Sequence, residues 1–177
     1  MKNWRDFYRA ANAEEEAFLD SYTADIYPKA SHTADIAVFN GDKLLLIRRG
    51  DYPFRHMWAL PGGFLNMDET TKECAARELF EETHLTDVEL HFSHLRDGLF
   101  RDPRDRIITS VYWCDLPEGA VAEAGDDAAE AEWFTYEFNG ESVRLYRKGE
   151  LFTERLAADH NECILEILKT REAYYGR

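Results

Sequence analysis

Residues 62–83 read Gly62-Gly63-Phe64-Leu65-Asn66-Met67-Asp68-Glu69-Thr70-Thr71-Lys72-Glu73-Cys74-Ala75-Ala76-Arg77-Glu78-Leu79-Phe80-Glu81-Glu82-Thr83. Thr70 and Glu73 stand at the spacing of a capping box, in which each side chain satisfies a backbone amide of the other residue. Such a cap is worth about 1 kcal/mol and predicts a helix over 70–83. Cys74, Ala75, Leu79 and Phe80 give that helix an apolar face, which places Cys74 in the core. Glu78, Glu81 and Glu82, at i, i+3 and i+4, gather three carboxylates on one face. Like charges at this spacing repel, so a cation is expected to compensate them. Arg77 supplies part of it, and a hard divalent cation held by carboxylate oxygens supplies the rest. A solvated acidic face is the other reading. The Pro61-Gly62-Gly63 turn favours the first, because glycines let backbone groups approach an ion or a phosphate.

The pattern G-x5-E-x7-R-E-U-x-E-E-x-G-U, with U aliphatic, is the signature box of the Nudix hydrolases, and this stretch resembles it closely. Gly63, Glu69, Arg77, Glu78, Leu79, Glu81, Glu82 and Leu85 all match. His84 departs, standing where the family has a helix-ending glycine. His tolerates the left-handed conformation better than bulkier or β-branched residues, at a cost of about 1 kcal/mol or less. Beyond the box, Ile47-Arg48-Arg49-Gly50, Pro53-Phe54 and Trp58-Ala59-Leu60 look like the branch containing ADP-ribose pyrophosphatases. Arg101-Asp102-Pro103-Arg104, Ala124-Gly125-Asp126-Asp127-Ala128 and Leu156-Ala157-Ala158-Asp159-His160 are similar to later segments of that branch. Some of its members are regulators with a winged-helix domain following. The residues after Trp133 are few and not basic, so that module is not expected here.

The resemblance implies an α/β (α+β) fold: a Nudix-type mixed β-sheet sandwiched between helices, with a loop-helix-loop catalytic box. Residues 1–30 would form an N-terminal helical extension and 31–177 the hydrolase domain. It implies hydrolysis of a nucleoside diphosphate linked to another moiety, foremost ADP-ribose to AMP and ribose 5-phosphate. The alternatives are a house-cleaning pyrophosphatase of oxidised nucleoside triphosphates or dinucleotides, and a non-catalytic nucleotide-sugar sensor. Intact Arg77, Glu78, Glu81 and Glu82 favour an enzyme. The implied metal is Mg²⁺, with Mn²⁺ as a substitute, held by Glu78, Glu81, Glu82 and the Gly63 carbonyl. Arg77 would orient the carboxylates and Glu69 support the loop and helix start. Glu123, Asp126 and Asp127 are candidates for the general base, and a solvated loop is the other reading. For substrate contacts the candidates are Arg48, Arg49 and Arg104 for phosphates, and Phe54, Trp58 and Phe64 for base stacking. Each has a plainer alternative, solvation for the arginines and core packing for the aromatics. Arg101 and Arg106 are weaker candidates, and His160 either caps the last helix or approaches the site.

Outside the box the periodicities are ordinary. Trp4, Phe7, Tyr8 and Ala11 predict an amphipathic helix over residues 1 to 25, ended by Tyr27-Pro28. Related pyrophosphatases are often dimers, and this stripe is expected to serve a homodimer. Strands are predicted at 32–39 and 43–49, joined by Asn40-Gly41, at Trp58-Ala59-Leu60, and at 87–95 and 107–115. A loop is expected over 117–130, a second hairpin over 133–146 around Asn139-Gly140, and a helix from about 153 to the end.

The 177 residues carry 21 Lys+Arg against 35 Asp+Glu, a net charge of −14, which opposes a nucleic-acid or anionic membrane partner. A small anionic nucleotide must then be met by local cations. Cys74, Cys114 and Cys163 are scattered and odd in number, arguing for a reducing, cytoplasmic setting and against a disulfide framework or structural zinc. Leu44-Leu45-Leu46-Ile47 is far too short to span a bilayer, and the N-terminus lacks a signal peptide's apolar core.

Overall fold

The computed structural model describes residues 4–23, 26–117 and 128–176. Among the described residues nine strands form one mixed sheet: β1 (Ser31–Asn40), β2 (Lys43–Arg49), β3 (Trp58–Ala59), β4 (Gly62–Phe64), β5 (His91–Arg96), β6 (Ile107–Asp115), β7 (Ala128–Phe138), β8 (Val143–Arg147) and β9 (Glu150–Phe152). The order is β5-β6-β1-β2-β7-β8-β9, with β3 added to β2 and β4 to β1. β1 runs parallel to β6 and antiparallel to β2 and β4.

β1 is apolar on both sides because helices cover both faces of the sheet. Ala34, Ile36 and Val38 face one core with Cys74, Ala75 and Leu79 of α2 (Thr71–Thr83). Ala37 and Phe39 face the other, with Cys163, Ile164, Ile167 and Leu168 of α3 (His160–Tyr175). The period-2 alternation of one strand thus feeds two cores, giving the expected sandwich of sheet between helices. All three cysteines are free and buried. Among the described residues no helix is long and apolar enough to cross a membrane.

The box helix starts as its spacing predicts. Thr70 is the N-cap, and Thr70 and Glu73 complete the reciprocal capping box. His84 ends it at φ 58°, in the left-handed conformation, with its N–H donating to the Phe80 carbonyl. Strand β6 matches its predicted limits.

Other expectations need correction. The N-terminal stripe is not one helix: a short 3-10 turn, Trp4–Asp6, is followed by a separate α1 (Ala13–Ser21). Asn12 caps α1 by accepting from the Glu15 N–H, so the helix begins where its capping side chain stands. No residue of α1 is buried. The first hairpin turns on Gly41-Asp42, because Asn40 pairs with Lys43. The strand expected at 87–95 begins only at His91, after Asp87 at φ 56°. β7 enters the acidic run at Ala128 because that run pairs with Arg48 and Arg49 of β2. The last helix begins at His160, not near 153, since Ala158 at φ 48° breaks the helical path.

Candidate active site

A cavity of about 560 Å³ opens between α2, the end of β2, the 97–106 segment and the start of α3. Its wall carries four arginines, Arg49, Arg77, Arg101 and Arg104, against six acids, Asp35, Asp51, Glu78, Glu81, Glu82 and Asp102. Local cations thus stand at this site despite the net charge of the chain, as an anionic ligand requires.

The box residues meet there through Arg77. Its guanidinium donates to both oxygens of Glu69 at 3.0 and 2.7 Å, to Glu78 at 2.6 Å, to Glu81 at 3.0 Å and to the Phe64 carbonyl at 2.9 Å. Glu69 also accepts the Asn66 N–H at 2.8 Å. The Arg77 bonds, then that amide, hold the Glu69 carboxyl down at about 2. One cation therefore ties the 64–69 loop to the acidic face of the helix.

Glu82 is 7% exposed, and its Oε2 accepts the Gly62 N–H at 2.8 Å. Burial pushes its carboxyl up to about 8; the Gly62 bond and Arg49 oppose this, while Glu78 and Asp35 reinforce it. Burial, with Glu81 and Glu69 nearby, also raises Glu78 against the pull of Arg77. Unfolded Glu82 ionises near 4.5, whereas the folded one keeps its proton to about 8. Without a bound cation, the stability tied to this proton is full below about pH 4.5 and is lost as pH rises towards 8. In chelator, the melting temperature of the wild type is expected to fall between about pH 5 and about pH 8 by more than that of Glu82→Gln, which cannot ionise. An equal fall in both would contradict a buried charge at this position.

The Gly63 backbone stands beside Glu78, since a Cβ at Gly63 would overlap the Glu78 carboxylate, while the Gly63 carbonyl accepts from Cys74 Sγ at 3.7 Å. Among the described residues no three Asp, Glu, His or Cys side chains converge as a ready metal cage, since Arg77 engages Glu78 and Glu81. The chemistry of the donor set still fits a hard cation. It consists of carboxylates on one helix face, those of Glu78 and Glu82 desolvated, beside the glycine backbone.

The other candidates divide. Arg49 lines the cavity, next to a bulge between Arg48 and Arg49 in the pairing with β7. Arg48 instead pairs with Glu130 at 2.9 Å, away from the cavity wall. Phe54, at φ 64°, and Phe64 line the cavity, and the Arg104 guanidinium lies over the Phe64 ring at 5.0 Å. Trp58 does not line it: it is 3% exposed and packs edge-on to Phe134 in the core, where its apolar ring is dry. Arg106 binds the Asp97 and Gly98 carbonyls. Glu123, Asp126 and Asp127 lie outside the described residues. Sequence reasoning missed Asp35, buried on β1, although a lone Asp inside an apolar strand was the available signal. Asp102, which holds Arg104 at 2.8 Å, carried no signal beyond its place beside the arginines.

The family model described as NUDIX domain matches residues 30–150. Over 131 residues the chain is 34% identical to the ADPR responsive transcriptional repressor NtrR of Acinetobacter baylyi, covering 71% of this chain and 52% of that protein. It is 37% identical over 116 residues to an ADP-ribose pyrophosphatase of Methanocaldococcus jannaschii, covering 66% of this chain and 67% of that one. The chain thus spans about half the length of the repressor it matches. A MutT/nudix family protein from Enterococcus faecalis superposes with a TM-score of 0.81 at 30% identity, over 97% of this chain and 73% of that one. The NUDIX domain of Shewanella oneidensis NrtR, solved with ADP ribose, gives a TM-score of 0.73 over 90% of this chain and 98% of that one. At 22% identity this second likeness is one of fold.

Proposed function

The chain belongs to the NUDIX family, and from that premise we propose that it is a divalent-metal-dependent pyrophosphohydrolase of ADP-ribose, releasing AMP and ribose 5-phosphate. The observation that carries the reading is the buried Glu82 carboxyl, set beside Glu78 in a cavity whose other walls present arginines. A sensor has no need to desolvate two carboxylates at cavity depth. The 37% identity to an ADP-ribose pyrophosphatase supports the choice of substrate.

Glu78, Glu82 and Glu81, with the Gly63 carbonyl, would hold Mg²⁺, with Mn²⁺ as a substitute. When bound, the ion supplies neutralisation of phosphate charge and a lowered pKa for water. The chain's own groups do the rest. Arg77 fixes the loop and the carboxylates as one unit, so their geometry is set before substrate arrives. Arg49 and Arg104 offer guanidinium groups to phosphate oxygens, a geometry suited to two-point contacts. Phe64, under Arg104, offers a ring face to the base or ribose. Ile47, Leu60, Ile107 and Ala157 supply apolar wall that limits water at the cavity. Water adds to one phosphorus and the bridging P–O bond breaks.

A second reading, an ADP-ribose sensor, is favoured by the 34% identity to a repressor. The screen that separates them measures Mg²⁺-dependent hydrolysis of ADP-ribose, NADH, diadenosine polyphosphates and nucleoside triphosphates. The proposal expects ADP-ribose to be turned over best; binding of ADP-ribose with no turnover of any of these favours the sensor.

The assignment of residues 1–30 as an extension and 31–177 as the hydrolase domain belongs to the same proposal, as does a homodimer in the cytoplasm. Phe7, Phe18 and Tyr27 are 74%, 59% and 69% exposed, an apolar surface that a second copy would cover. Sedimentation at micromolar concentration is expected to give twice the chain mass of 20.6 kDa. A monomer rejects the dimer.

A further inference from the structure

Asp159 and His160 are consecutive and buried at the start of α3. Asp159 occupies the N-cap, yet its carboxylate makes no capping hydrogen bond. Asp159 Oδ1 accepts from Arg101 Nη2 at 2.8 Å, and Oδ2 accepts from Arg96 Nε at 3.0 Å and Arg101 Nε at 3.2 Å. The two arginines hold its carboxyl below the usual carboxylate range although burial opposes them. His160 Nδ1 accepts the Leu60 backbone N–H at 2.9 Å. A ring nitrogen that accepts carries no proton, so the neutral imidazole holds its proton on Nε2. Nε2 lies 4.0 Å from Asp35 Oδ2. The one basic nitrogen of His160 is occupied by Leu60, so this residue does not take a proton from water or substrate.

Each residue leads into one wall of the cavity. From Leu60 the chain passes to Pro61, whose carbonyl accepts from Ile36 N–H at 2.9 Å, and to Gly62, whose N–H binds Glu82. A second tie, from Ala157 N–H to the Trp58 carbonyl at 2.8 Å, holds the same loop to the segment before α3. From Arg101 the chain passes to Asp102 and Arg104, which bind each other through Nε at 3.0 Å and Nη2 at 2.8 Å. The Arg101 side chain is 5% exposed and that of Arg104 40%. Arg101 is therefore the anchor of this wall, and Arg104, held on one edge by Asp102 and more exposed, is the group presented to a ligand.

We propose that Asp159 and His160 form a two-armed bracket: His160 positions the loop that fixes Glu82, and Asp159 positions the segment that presents Arg104. Both are positioning residues, and the kinetic part of the inference rests on the hydrolase reading above. Neighbours in sequence should then carry opposite kinetic signatures. His160 governs turnover, because it acts on the carboxylate wall. Asp159 governs affinity, because it acts on the cationic wall.

The test uses the full chain with Mg²⁺ and ADP-ribose. His160→Phe keeps an aromatic ring and removes the acceptor, and kcat is expected to fall roughly tenfold to a hundredfold with KM within about threefold. His160→Asn, whose Oδ1 stands near the place of Nδ1, is expected to recover most of that loss. Asp159→Asn is expected to raise KM roughly tenfold with kcat within about threefold. Equal changes of kcat and KM in both positions, or no recovery in His160→Asn, overturn the bracket. A measurement on unmutated protein covers variants that fail to fold: the ¹⁵N resonances of His160 are expected to show a bare Nδ1 and a protonated Nε2. The opposite tautomer overturns the proposal. Absence of ADP-ribose turnover in the wild type defeats the hydrolase reading instead. The tautomer, together with ADP-ribose affinity in Asp159→Asn, then decides the bracket alone.

Discussion

Glu82→Gln is expected to lower turnover of ADP-ribose by roughly 10²-fold or more while the fold holds or firms slightly. Glutamine keeps the shape of the side chain and an oxygen that accepts the Gly62 N–H. It removes a charge that burial, Glu78 and Asp35 all disfavour. In chelator at about pH 8 the variant should melt no lower than wild type. A relief of about 1 kcal/mol would raise the melting temperature by roughly 2–4 °C. Contacts from Arg49, Arg104 and Phe64 remain, so KM should change far less than kcat. Turnover within about threefold of wild type would mean that the Glu82 carboxylate takes no part in the chemistry.

The adjacent glycines of the box loop should fail in opposite ways. Gly62 sits at φ 155°, and a Cβ there would run into the Ala34 carbonyl oxygen and lie 2.9 Å from Asp35 Cα. Both obstacles belong to the backbone of β1 and neither can turn aside. Gly62→Ala is expected to destabilise the chain by about 3 kcal/mol or more, a fall of roughly 6–12 °C in melting temperature. At Gly63 the nearest obstacle is the Glu78 carboxylate, the far end of a side chain rather than backbone. Gly63→Ala should keep the melting temperature within a few degrees, yet move Glu78 and lower turnover by roughly 10²-fold. Thermal melts beside steady-state rates check the pair. A stable Gly62→Ala or a fully active Gly63→Ala would contradict the packing described.

Local signals were the ones legible in sequence. Thr70 and Glu73 announce the helix start through three residues of spacing, and His84 takes the left-handed position that a glycine would hold. Both depend on neighbours along the chain. What depended on distant partners was hidden. Ala128–Glu130 are poor strand formers, and they are drawn into β7 by pairing with Arg48 and Arg49. Trp58 and Phe64 read alike as aromatics near the box, but one packs edge-on to Phe134 and the other lies under Arg104 at the cavity. The N-terminal aromatics suggested one stripe, while Asn12 and Glu15 already carried the cap that splits it. Asp35 and Arg101 are placed by ion pairs and hydrogen bonds between segments tens of residues apart, which no periodicity records.

On the proposed function, the carboxylate face of α2 serves cation-dependent cleavage of a pyrophosphate. The most direct measurement follows AMP release from ADP-ribose by wild-type protein as Mg²⁺ is titrated into chelated enzyme. AMP and ribose 5-phosphate appearing in equal amounts, only as the cation is added, is the predicted result. AMP released at an undiminished rate in excess chelator, or no AMP at any Mg²⁺ concentration, would contradict it.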